Sequence, residues 1–190
     1  MCLFSCTDKS IQAHRVIESK FLKNLNERKL DLLTFELLER NSVDSLRIVY
    51  EYRIEKGNKK YYYNLAATYL ELNDNKGIEI LKKGASFKDN GCLLALAMYY
   101  ENGQFALIKG NYTITTNLDS AICYYTIAAN NNDMQSQANL SIMYFELPKI
   151  QNLDSCKKYL KMCIENNSDY DEGDIKGAAI EFKNRNNIIW

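Results

Sequence analysis

Apolar positions recur along this chain in two alternating groups. The first is a Leu followed by a small residue, with an aromatic residue or Leu four positions after the first: Leu33-Thr34…Leu37, Leu65-Ala66…Tyr69, Leu96-Ala97…Tyr100 and Leu140-Ser141…Tyr144. The second sets small residues seven or eight positions apart: Gly77…Gly84-Ala85, Ala121…Ala128-Ala129 and Cys156…Cys163-Ile164, with a weaker Ser45…Tyr52 ahead of them. Either spacing places its members on one helix face. The steps from Leu33 to Leu65, Ser45 to Gly77, Leu65 to Leu96 and Ala121 to Cys156 are each about 31 to 35 residues, a period at which two helices and their turns repeat. Only the step from Leu96 to Leu140 is longer, and its excess falls between helices, in 103–117, where stacked arrays tolerate insertion. The pattern predicts an all-α fold, an α-solenoid of about four antiparallel helical hairpins, as one domain over 1–190.

Local signals mark where the elements begin and end. Asp8 or Thr7 caps a first helix over 9–25, with Ile11, Val16, Ile17, Phe21 and Leu25 on its apolar side, and Asn26 ends it. The predicted repeats run over about 28–57, 59–89, 90–132 and 134–166. Their helices lie near 28–40, 42–56, 59–72, 75–88, 90–101, 118–131, 134–146 and 151–166, punctuated by Gly57, Asn73-Asp74, Asn90-Gly91, Asn102-Gly103 and Pro148. A polar loop, 167–173, precedes a C-terminal capping helix over 174–186. Small residues at Ala66, Ala97, Ser141, Gly84-Ala85 and Ala128-Ala129 allow helix axes to approach to about 8 Å. Leu65, Leu96 and Leu140 then fill the space between helices, and Tyr69, Tyr100 and Tyr144 are expected to span adjacent hairpins.

Composition narrows the function classes. The 24 basic and 24 acidic residues cancel, so no global field favours DNA, RNA or anionic lipid, and nucleic acid is not an expected partner. The longest apolar stretch, Cys92 to Tyr100, is too short to cross a bilayer. The opening MCLFSCTDKS lacks a basic segment followed by an apolar one, which predicts a cytoplasmic protein with reduced thiols. On that reading Cys92, Cys123, Cys156 and Cys163 are small buried residues. Asparagine is abundant, as at Asn130-Asn131-Asn132, and reads as a compositional bias; the sequons at Asn111, Asn139 and Asn166 are expected to be unused.

Candidate chemistry is sparse. His14 is the only histidine and has no acid–base set beside it, so a packing or surface role is the expectation. Cys2, Cys6 and His14 supply three zinc-ligand types but no fourth. The acidic run from Asp169 to Asp174 misplaces both the Gly and the final Glu of a calcium loop and reads as a solvated turn. With no glycine-rich phosphate loop, nucleophile elbow or paired-carboxylate helix, the sequence predicts no catalytic, cofactor or metal site, and no enzyme.

The chain resembles the Sel1-like branch of the tetratricopeptide superfamily, whose repeat reads Ala-x3-Leu-Gly-x2-Tyr, a variable loop, then Lys-Ala-x2-Tyr/Trp-x3-Ala-Ala. LLALAMYYENG (from Leu93) with LDSAICYYTIAAN (from Leu118) carries the resemblance best, followed by SQANLSIMYFE with LDSCKKYLKMC. Residues 28–91 are closer to plain tetratricopeptide repeats, and Ala or Ser replaces the usual Gly after Leu. The resemblance implies a right-handed superhelix whose first helices line a concave groove. In this register the groove positions are Arg28, Asp31, Phe35, Lys60, Tyr63, Ala67, Leu70, Leu94, Met98, Glu101, Gln135, Ala138, Ile142 and Phe145. The carboxylate clamp of the superfamily's chaperone-tail binders is matched only at Asn64. What the resemblance implies is a noncatalytic scaffold or adaptor that takes a peptide or protein partner in the groove. The alternative is a self-assembling, homo-oligomeric repeat protein. A Sel1-like enzyme of the disulfide-bearing kind lacks support from the cysteine spacing.

Overall fold

The computed structural model describes residues 19–72, 74–103, 116–167 and 174–190. Among these residues the chain is all-helical, without a strand. Its elements are α1 (Ser19–Leu22), α2 (Glu27–Glu39), α3 (Val43–Glu55), a 3-10 turn (Lys59–Tyr61) leading into α4 (Tyr62–Glu71), α5 (Lys76–Ser86), α6 (Asn90–Asn102), α7 (Leu118–Asn130), α8 (Met134–Glu146), α9 (Leu153–Ile164) and α10 (Ile175–Arg185). Of the predicted 9–25 helix, 9–18 lies outside the described residues. So do Asn73, most of the 103–117 connection and the acidic run over 169–173.

Asparagine and aspartate set most of the helix starts. The side chains of Asn26, Asp89, Asn117, Asp133, Asn152 and Asp174 each accept a hydrogen bond from the backbone N–H three residues on, at 2.8–3.0 Å. Each satisfies an N–H that the helix leaves without a partner. Asn41, Asn132 and Asn187 adopt left-handed backbone conformations just beyond helix ends, which asparagine tolerates better than other side chains. Gly103 ends α6 at φ 73°, its N–H donating to the Tyr99 carbonyl at 2.9 Å.

From α2 onward each helix packs chiefly on its neighbours in sequence, most extensively in α4 with α5, α6 with α7 and α8 with α9, while α1 packs on α3. The small-residue positions are where the helices touch. A Cβ on Gly77 would lie 2.8 Å from the Ala66 carbonyl oxygen, and one on Gly84 would lie 2.7 Å from the Tyr62 Cβ. Ala66, Ala97, Ser141, Ala121, Ala128, Ala129, Cys156 and Cys163 are all buried, together with Leu65, Leu96 and Leu140. The first copy is looser: Leu33 is only half-buried, and the Thr34 hydroxyl turns back to donate to the Leu30 carbonyl at 2.7 Å.

One expectation is corrected below. Tyr100 stacks on Tyr124 and Tyr144 on Tyr159, ring centroids 5.8 and 5.9 Å apart. Tyr100 is also packed against the core cluster that holds residues of α3 to α6, and Tyr144 against the one that holds residues of α6 to α9. Tyr69 reaches two other helices, through Glu51 of α3 and Lys76 of α5. Cys92, Cys156 and Cys163 are free and buried as expected, but Cys123 is exposed, since it falls on the solvent side of α7.

Candidate functional site

The fourteen positions assigned to a groove separate into three groups. Leu94 and Met98 are half-buried on α6 and pack against the cluster formed by Ala97, Tyr125 and Leu140. On the same helix, the Glu101 carboxylate accepts a 2.6 Å hydrogen bond from the Tyr125 hydroxyl. Burial first, and then Glu101, hold that phenol well above its ordinary range. On α8, Gln135 donates to Asn139 at 2.9 Å and Ile142 is 37 % exposed. These residues keep a mixed apolar and polar surface on α6 and α8.

A second group is exposed at the start of the chain. Phe35 is 63 % exposed on α2, on the same outward arc as Leu32 and Leu38. Arg28 and Asp31 are exposed there too. Asp31 accepts from Arg53 of α3, so its carboxylate is committed within the fold. Lys60 is exposed at the foot of α4, with its ammonium 5.1 Å from the centre of the Tyr61 ring.

The third group packs into the protein to differing degrees. Leu70 is completely buried among residues of α3, α4 and α5, with Gly77 against its side chain, so it is core and offers no surface. Ala138 is likewise buried. Phe145 meets Phe182 of α10 edge to face at 5.4 Å and is half-buried. Tyr63 and Ala67 are half-buried on α4, packed against the core. Burial on three sides of a short helix explains Leu70, because a one-dimensional register counts only the neighbours it assumes.

The thiols and acids supply no reactive set. Burial raises the Cys92 thiol far above its usual range, and the charge of Asp89 adds to it; burial also raises Cys156. Among the described residues no group of three or more His, Cys, Asp or Glu could hold a metal ion, and no helix is long and apolar enough to cross a membrane. His14, Cys2 and Cys6 lie outside the described residues.

No family model, curated protein or solved structure matches the chain.

Proposed function

We propose that this chain is a noncatalytic scaffold, an α-solenoid of the tetratricopeptide-like kind, that holds a peptide or protein partner along its first-helix surface. The observation that carries the reading is the surface on α6 and α8. Leu94, Met98 and Ile142 keep apolar area open there, and Glu101 and Gln135 stand beside it as hydrogen-bonding groups. An apolar strip with a few fixed polar groups suits an extended segment or a helix. Sequential packing of helix on helix, with small residues at every close approach, supports the solenoid. Leu70 and Ala138, both buried, are left out of the binding surface.

Affinity capture with wild type and with Ile142→Glu plus Met98→Lys tests it. Loss of a partner from the variant, with the melting midpoint retained, supports the surface; capture of the same set by both proteins rejects it. Self-assembly is the second reading. It is favoured by exposed apolar residues toward both chain ends: Leu32, Phe35 and Leu38 on α2, and Ile180, Ile189 and Trp190 at the other end. Sedimentation at high concentration decides it, a monomer excluding it.

A further inference from the structure

Five lysines lie in the stretches where α3 ends, α4 begins and α5 ends, Lys56, Lys59, Lys60, Lys83 and Lys88, and Lys59 and Lys83 meet on one pair of rings. Aromatic rings hold four of them. Lys59 Nζ lies 3.9 Å from the centre of the Phe87 ring, and Phe87 stacks on Tyr62 at 5.5 Å. Lys83 Nζ stands 5.8 Å from Tyr62, completing a continuous train from lysine to lysine. Lys60 and Lys56 sit over Tyr61 and Tyr52 at 5.1 and 5.6 Å. The train spans at most about 15 Å, the reach of about four to five extended residues.

The lysine charge there is not taken up in ion pairs. None of the five lysines forms an ion pair with a described residue; the cationic partners in the ion pairs present are Arg47, Arg53, Lys82 and Lys161. Glu55 and Asp89 are acidic in these segments, Asp89 capping α6, and Glu27 and Asp31 reach Tyr61 through Arg53, so the five lysines and Arg53 outnumber the carboxylates around them. Lys56, Lys83 and Lys88 stand at or just beyond helix C-termini, where the dipole favours cations. Lys59 and Lys60 stand at the N-terminus of α4, where it favours anions. The helix dipole therefore gives no reason for Lys59 and Lys60, which rest on the Phe87 and Tyr61 rings. Phe87 remains 43 % exposed beside them.

We infer that this edge is a docking site for a carboxylate-rich extended segment of a partner protein, with acidic side chains reaching the lysines on either side of an apolar residue against Phe87. Nucleic acid fits less well. The ring faces are already taken, Tyr62 by Phe87, Tyr61 by Tyr50 and Phe87 by Lys59, which leaves no platform for stacked bases. The site is separate from the α6–α8 surface, so either can fail without the other.

The test is fluorescence anisotropy of the full chain with a labelled peptide, Ser-Glu-Glu-Phe-Asp-Glu-Glu-Ser, and with its Gln/Asn counterpart. Binding of the acidic peptide alone is expected, weakening about tenfold in Lys59→Glu plus Lys83→Glu and falling as salt rises. Lys149→Glu plus Lys158→Glu, which keeps this edge intact, and Ile142→Glu are expected to bind as wild type does. Lys60→Gln, at an exposed position, is expected to weaken binding with an unchanged melting curve, which separates lost docking from lost folding. The inference is overturned if the acidic peptide is not bound, if its neutral counterpart binds equally, or if the control lysines matter as much. It is also overturned if poly-uridine RNA or phosphatidylserine vesicles bind through these lysines more tightly than the peptide does.

Discussion

The guanidinium of Arg53 donates from Nη2 to the Asp31 carboxylate at 2.7 Å although Arg53 is only 1 % exposed and Asp31 lies open to solvent. Nη1 donates to Glu27 at 3.1 Å and also to the Tyr61 hydroxyl, and the guanidinium carbon sits 4.6 Å from the centre of the Tyr61 ring. One buried cation thus fastens α2 and the turn before α4 to α3. Removing both carboxylates, as Glu27→Gln plus Asp31→Asn, strands that cation and is expected to cost about 2–3 kcal/mol, the solvent-exposed side of the pair softening the loss. Arg53→Met removes the charge with its partners' need for it and is expected to cost less than the double variant. Urea melts of both give the order; the reverse order would show that the carboxylates contribute nothing.

The small-residue contacts make a prediction whose sign opposes helix propensity. Gly84→Ala would by itself stabilise a helix by about 1 kcal/mol. Here the new methyl meets the Tyr62 Cβ at 2.7 Å and the Cys92 side chain as well. The net effect is expected to be a loss of about 1–3 kcal/mol from overpacking. A thermal melt with a raised midpoint would mean that α4, α5 and α6 can part without cost.

Burial ranks the recurring leucines. Leu96 and Leu140 are sealed in the core, and truncation of either to Ala is expected to cost about 2–5 kcal/mol. Leu33, the half-buried counterpart on α2, should lose about 1 kcal/mol or less, since water already reaches it. Denaturant midpoints for the three variants check the ranking, which equal losses would contradict.

Helix ends were legible because their causes are local. Asn26, Gly57, Asn102-Gly103 and Asn117 are readable one residue at a time, and the helices they bound fall within a few residues of expectation. The small-residue seam was legible for a related reason, since a strict helical spacing admits one contacting face. Surface assignment failed where it depended on a third element. Leu70 looks like a face residue until α3 and α5 close over it. Nothing in the local spacing marks Arg53 as buried, because its carboxylate partners come from another helix. The lysine edge is invisible for the same reason, being assembled from two stretches of chain that only folding brings together.

Asn166 illustrates a buried amide that sequence assigned to a sequon. Its Nδ2 donates to Gln137 Oε1 at 2.9 Å and to the Asn132 carbonyl at 3.1 Å, while its Oδ1 accepts from Asn132 at 3.2 Å. Asn166→Ala removes the hydrogen-bonding groups facing buried Gln137 and is expected to cost about 1–3 kcal/mol. Asn130→Ala, at an exposed position nearby in sequence, is expected to change little. Equal melting midpoints for the two variants would show that the amide network is dispensable.

Five tyrosines give the fold an alkaline limit. Burial raises Tyr50, Tyr69, Tyr124, Tyr125 and Tyr144 above the ordinary phenol value of 10.0, with Glu51 adding to Tyr69 and Glu101 to Tyr125. In the unfolded chain these phenols ionise near their ordinary value, whereas in the native state they keep their protons. Above about pH 10 the unfolded state therefore binds fewer protons than the native one, and stability falls as pH rises. Below that pH both states hold the proton and the tyrosines impose no pH dependence. The expected result is a melting midpoint that is flat from these groups at neutral pH and drops above pH 10, with the phenolate absorbance of these five rings near 295 nm appearing only as the helical signal is lost. Tyr125→Phe should shift that loss toward higher pH. Ionisation of these phenols in a chain that stays helical would show that the rings are open to solvent.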